Sequence, residues 1–160
     1  MFHVESYNDT RKNNYRLVCK QLKALIEGEP NLFANLANAS ALLNQFLDDV
    51  NWVGFYLPDG EVELVLGPFQ GLPACVRIPF GKGVCGTAAS ERKIIRVKDV
   101  NEFAGHIACD SASRSEIVVP LIKNDEVIGL LDIDSPSTDR FDEEDEDGLR
   151  RFVEVLVDHL

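Results

Sequence analysis

Three of the four cysteines fall between Gly67 and Pro120, each among residues that suit a reactive thiol. Cys85, in GKGVCGTA, follows Gly83 at what reads as the start of a short helix. Free backbone N–H groups and the helix dipole favour a thiolate there. Cys109, in GHIACDSASRSE, has His106 shortly before it and Arg114 shortly after. A base or a cation beside a thiol also lowers its pKa. Cys75 opens a strand after a proline-containing loop and alone reads as structural. As a second thiol it needs only reach and mobility. A thiolate can attack an electrophilic centre, pass through a sulfenic acid and condense with a neighbouring thiol.

Such chemistry also needs a proton. Asp132 and Asp134, in EVIGLLDIDS, alternate along a strand and share a face with Ile128 and Leu130. Two carboxylates about 7 Å apart on an apolar face push at least one pKa upward. Glu116 begins the preceding strand. A three-residue hairpin loop places it opposite Asp132 and a two-residue loop opposite Ile133, and the sequence leaves that register open. Trp52 and Tyr56 share one face with Gly54 between them, an aromatic surface with a gap that suits a small apolar group.

Other chemistries find less support. GKG lacks the G-x-x-x-x-G-K-[ST] spacing of a phosphate loop. Cys75, Cys85 and Cys109 lack the close pairing of structural zinc ligands, and no metal or organic cofactor is called for. The net charge of −11, with no basic stripe, argues against nucleic acid. No run reaches membrane-span length, and the N-terminus has no apolar signal core. The expected setting is cytoplasmic, with thiols reduced and any disulfide transient. Cys19 reads as a small buried hydrophobe.

The elements that must position these residues follow in order. Apolar spacing at Tyr15, Val18, Leu22, Leu25 and Ile26 predicts a helix from about Asn8 to Glu27, and a second is expected from Asn31 to Asp48. VNWVGFYL and EVELVLG, joined by PDG, read as a hairpin. PFQGLPA reads as a loop, CVRIP as a short strand, GVCGTAASER as a helix and KIIRV as a strand. The irregular segment 98–115 is long enough to be functional. SEIVVPLIK and EVIGLLDIDS flank the turn Asn124-Asp125, and Pro120 marks an edge position or a bulge. The acidic run from Asp142 opens a final helix. The expectation is α+β in one domain: helices over 1–48, sheet and loops over 49–140, and a helix over 141–160.

GPFQG, ACVRIPFGKGVCGTA, GHIACDSASRSEIVVPL and IGLLDIDS together resemble the free methionine-(R)-sulfoxide reductases, a catalytic branch of the GAF-domain family. The resemblance runs from about Asn31 to the end of the chain. It implies a GAF-like fold: a six-stranded antiparallel sheet with the N- and C-terminal helices packed on it, in a homodimer. It implies reduction of free L-methionine (R)-sulfoxide with electrons from thioredoxin. Cys75, Cys85 and Cys109 match the three family cysteines; Glu116, Asp132 and Asp134 match its pocket carboxylates, and Trp52 its aromatic wall. Cys109 is assigned as the attacking thiol on loop access and the resemblance, although the helix start favours Cys85; Cys75 or Cys85 would resolve its sulfenic acid as a disulfide, Glu116, Asp132 and Asp134 would bind the ammonium group and assist protonation, and Trp52 would pack on the S-methyl. The alternative is a GAF domain that senses a small ligand without turnover; the three carboxylates would repel an anionic nucleotide.

Overall fold

A computed structural model describes residues 2, 3 and 5–160. Its elements are α1 (Arg11–Ile26), α2 (Leu32–Phe46), β1 (Trp52–Asp59), β2 (Glu63–Gly71), β3 (Arg77–Pro79), α3 (Gly83–Glu91), β4 (Ile95–Val97), β5 (Ser115–Lys123), β6 (Glu126–Ser135) and α4 (Glu143–Val157). A single 3-10 turn, Val100–Glu102, interrupts the long loop before β5. The strands form one sheet in the order β3-β2-β1-β6-β5-β4, and every neighbouring pair is antiparallel. This is the α+β architecture expected.

The helices begin where side chains can satisfy free N–H groups. Thr10 caps α1, accepting a hydrogen bond from the Asn13 backbone, and Asn31 does the same for α2. Asp142 and Asp145 form a reciprocal capping box at the start of α4, where acidic side chains also oppose the positive end of the helix dipole. These caps place the helix starts at Arg11, Leu32 and Glu143. Tyr15, Val18, Leu22 and Ile26 of α1 and Leu149, Phe152, Val153 and Leu156 of α4 are buried against one face of the sheet. Val53, Phe55, Ile117, Val119, Leu121, Leu131 and Ile133 line that face. The opposite face is covered by α3 and loops, over Trp52, Tyr56, Leu64, Val118 and Leu130.

Three departures from the sequence expectation have local causes. PFQG is strand, not loop: Trp52, Val53 and Gly54 pair with Gly71, Gln70 and Phe69. The ladder is irregular between Gly54 and Tyr56, so Pro68 falls where no bond is asked of it. Glu116 pairs with Asp134, not with Asp132 or Ile133. The turn is the two-residue one, with Lys123 opposite Glu126, but a bulge between Leu121 and Ile122 shifts the register by one. The same bulge turns Ile128 onto the helix-covered face, away from Leu130 and the aspartates. Pro120 lies beside that bulge and beyond Val118, the last β5 residue that β4 covers.

Candidate active site

The site is built on the sheet face that carries α3. Register brings its floor together: Trp52 pairs with Asp134, Gly54 with Asp132, Glu116 with Asp134 and Val118 with Asp132. One face of three adjacent strands therefore presents Trp52, Tyr56, Glu116, Asp132 and Asp134. Cys85 enters from α3, and its Sγ lies 4.0 Å from Glu116 Oε1. Two glycines allow this approach. Gly83 has φ of +64°, and Gly86 sits so close to β3 that a Cβ there would lie 2.3 Å from the Pro79 carbonyl oxygen.

Cys75 and Cys109 form the wall. They are joined in a disulfide across a Cα–Cα distance of 5.4 Å. Aromatic side chains from the floor hold the Cys75 segment. The Trp52 indole N–H donates to the Leu72 carbonyl (3.1 Å), and the Tyr56 hydroxyl donates to the Cys75 carbonyl (2.9 Å). Trp52 is stacked between Phe69 and Tyr56, with centroids 5.2 and 5.9 Å away. The space over Gly54 is thereby filled, since a Cβ there would lie 2.3 Å from Phe69 Cβ. The gap anticipated between the two aromatics is closed by Phe69.

The segment carrying Cys109 is ordered by polar contacts. The Asp110 side chain accepts from the Ala112 backbone (2.9 Å) and from the Asn51 amide (3.0 Å), which also donates to Ser113. The Arg114 backbone N–H donates to the Ser135 carbonyl at 2.7 Å. The Arg114 side chain is exposed and does not line the pocket, so it is not the cationic neighbour of Cys109 that the sequence suggested. His106 does reach the pocket, with Nε2 3.8 Å from Glu116 Oε2, and burial lowers its pKa.

The electrostatics are one-sided. Glu116, Asp132 and Asp134 are 5%, 6% and 9% exposed. Burial pushes all three carboxyl pKa values up, and mutual repulsion adds to the rise for Glu116 and Asp134. Among the described residues, no lysine or arginine lines the pocket. Cys85 corrects the helix-start expectation: burial first, then the neighbouring carboxylates, push its thiol well above the usual range. Three buried acids outweigh one short helix terminus. The pocket is partly open to solvent and holds a cavity of about 40 Å³, room for a few waters.

Apart from Arg114, the structure gathers the residues that the sequence singled out for chemistry: Cys75 and Cys109 bonded to each other, Cys85 lining the same pocket as Cys109, and Trp52, Tyr56, Glu116, Asp132 and Asp134 as floor. Cys19 stands apart, half-buried against the helix-covered core. Sequence reasoning passed over Phe69, Asn51, Asp110 and Ser113. Adjacency to Cys109 was the available signal for Asp110; nothing local pointed to Asn51.

A GAF domain model matches residues 34–160, and the chain belongs to the GAF-domain family. Within it, the chain is 56% identical over 137 residues to the free methionine-R-sulfoxide reductase of Escherichia coli, covering 86% of this chain and 82% of that one. The reduced fRMsr of Staphylococcus aureus superposes with a TM-score of 0.89 at 54% identity, covering 100% of this chain and 99% of the other. The free methionine-R-sulfoxide reductase of Neisseria meningitidis, in complex with its substrate, superposes with a TM-score of 0.94 at 43% identity, covering 99% and 95%.

Proposed function

We propose that this protein reduces free L-methionine (R)-S-oxide to L-methionine and carries the resulting oxidation as the Cys75–Cys109 disulfide. The observation that carries this reading is a disulfide whose Cys109 lines one pocket with three buried carboxylates and, among the described residues, no lysine or arginine. A pocket that lacks a counter-charge suits a ligand that brings one, and a free amino acid brings its ammonium group. A methionine within a peptide lacks that group, which favours the free substrate. Kinship with reductases from three bacterial genera supports the same activity.

The Cys109 thiolate attacks the sulfoxide sulfur while a protonated carboxyl, Glu116 or Asp134, donates to the sulfoxide oxygen. Oxygen passes to Cys109 as a sulfenic acid, and methionine departs as the thioether. The Cys75 thiol then displaces water from that sulfenic acid, forming the disulfide. Two electrons and two protons from an external dithiol restore the thiols. Asp132 and Asp134 hold the ammonium, and the Trp52–Tyr56 wall packs along the apolar part of the substrate. Cys85 remains reduced through the cycle. The donor we assign is thioredoxin. Leu72 and Val76, 63% and 60% exposed beside Cys75, offer it an apolar landing surface. The reading includes a homodimer and a cytoplasmic setting, where thiols are kept reduced. No helix among the described residues is long and apolar enough to cross a membrane.

The test mixes fully reduced protein with free L-methionine (R)-sulfoxide and no reductant. Two thiols lost and one methionine released per chain, both abolished by Cys109→Ser, are expected. Tight binding with no thiol loss would replace the reductase reading with a sensor. Release of methionine by Cys109→Ser but not by Cys85→Ser would move the attack to Cys85.

A further inference from the structure

The proposed cycle leaves one buried nucleophile unused. Cys85 is 4% exposed and outside the disulfide. One ligand-capable atom from each of Cys85, Glu116 and Asp132 lies within 4.8 Å of the others. Asp132 is 6% exposed, and its Oδ1 is buried with no hydrogen-bond partner. These three residues come from α3, β5 and β6, the last two paired in the sheet. They meet in a cavity of about 40 Å³ without lysine or arginine in its lining. That space admits an ion and a water.

We propose that Cys85, Glu116 and Asp132 of the disulfide-bonded protein bind a thiophilic divalent cation, Zn²⁺ being the biological example. The donor set decides the class. One thiolate with two carboxylates suits a borderline-soft tetrahedral ion, with water in the fourth position. Calcium and magnesium require six or more oxygen ligands, which this cavity does not offer. Zn–S and Zn–O bonds set a tetrahedral S···O separation of about 3.5 Å. The Cys85 Sγ to Glu116 Oε1 distance of 4.0 Å needs only a small contraction. The metal replaces the Cys85 proton and any proton held by the Glu116 and Asp132 carboxyls, and these leave to solvent. It also supplies the partner that Asp132 Oδ1 lacks. The spacing of the ligands, 31 and 16 positions apart along the chain, hides the set from any local zinc motif.

The test uses oxidised Cys19→Ser protein, in which Cys85 is the one remaining thiol. Cd²⁺ is added in chelator-free buffer, and the ultraviolet thiolate-to-cadmium charge-transfer band is followed. One equivalent bound, displaced by Zn²⁺, is expected. Cys85→Ser should remove the band, and Asp132→Asn should weaken binding by at least about tenfold with the thiol intact. No band in large excess of Cd²⁺, or a band undiminished by Cys85→Ser, overturns the site. Should either variant fail to fold by circular dichroism, X-ray absorption of the Zn²⁺-loaded parent decides. One sulfur with oxygen ligands supports the site, and a first shell without sulfur, or with several, refutes it. Absent cadmium binding in a protein that still releases methionine when reduced would sink the metal site and leave the reductase reading standing.

Discussion

The Tyr56 hydroxyl donates a 2.9 Å hydrogen bond to the Cys75 carbonyl, so a side chain of the sheet floor fixes the backbone that carries half of the disulfide. Tyr56→Phe keeps the ring and its stack on Trp52 but frees that carbonyl. A lost hydrogen bond of this kind is worth about 0.5–1.5 kcal/mol, or roughly two- to tenfold in rate. Methionine release in the first turnover should be unchanged, while disulfide formation slows by that factor. Trapping the sulfenic acid with a dione and timing its decay separates the two steps. Equal slowing of both would place Tyr56 in the attack itself.

Cys75→Ser should release one methionine per chain, lose one thiol and leave Cys109 as a trappable sulfenic acid. Steady turnover with thioredoxin should vanish, since no disulfide is presented. Mass spectrometry of the trapped protein reads the site. If this variant still loses two thiols, Cys85 is the partner in solution.

Acid titration of the floor sets a stability profile with a definite sign. Burial, then repulsion from Asp132 and Asp134, raises the Glu116 pKa in the folded state. Unfolded, the group titrates near the ordinary value of about 4.3. Above that pH the folded chain binds more protons than the unfolded one, so this group's contribution falls as pH rises, until the folded pKa is passed. Glu116→Gln removes the effect. The variant should gain stability relative to the parent at pH 8 more than at pH 4, in urea melts at both. An equal difference at the two pH values would contradict the raised pKa.

Gly148 lies inside α4, where alanine ordinarily adds about 1 kcal/mol of helix stability. Here a Cβ would lie 2.3 Å from the Tyr15 ring, and that ring is pinned by its hydroxyl bond to Asp145 at 2.7 Å. Overpacking of this kind costs about 1–3 kcal/mol. Gly148→Ala should therefore lower the urea midpoint at unchanged slope. A rise would mean that the ring can yield.

Period-two alternation placed Asp132 beside Asp134, and residue chemistry singled out the cysteines, because both signals are local. What stayed hidden is what the tertiary ladder decides. The bulge at Leu121 and Ile122 overrides the register that turn length alone implies for Glu116. PFQG became strand because β1 offered it a partner, and Phe69 thereby filled the space over Gly54. The low pKa expected of Cys85 failed for the same reason: helix position is visible in sequence, while the burial of the thiol and then the three carboxylates that converge on it from β5 and β6 are not.

The Cys75–Cys109 bond has a kinetic meaning in the proposed cycle. The sulfoxide reacts with the two thiols and the electron donor with the disulfide they leave, so the two reactants meet different forms of one chain. Substrate and electron donor then take strict turns. Initial rates measured against either reactant should give parallel double-reciprocal lines.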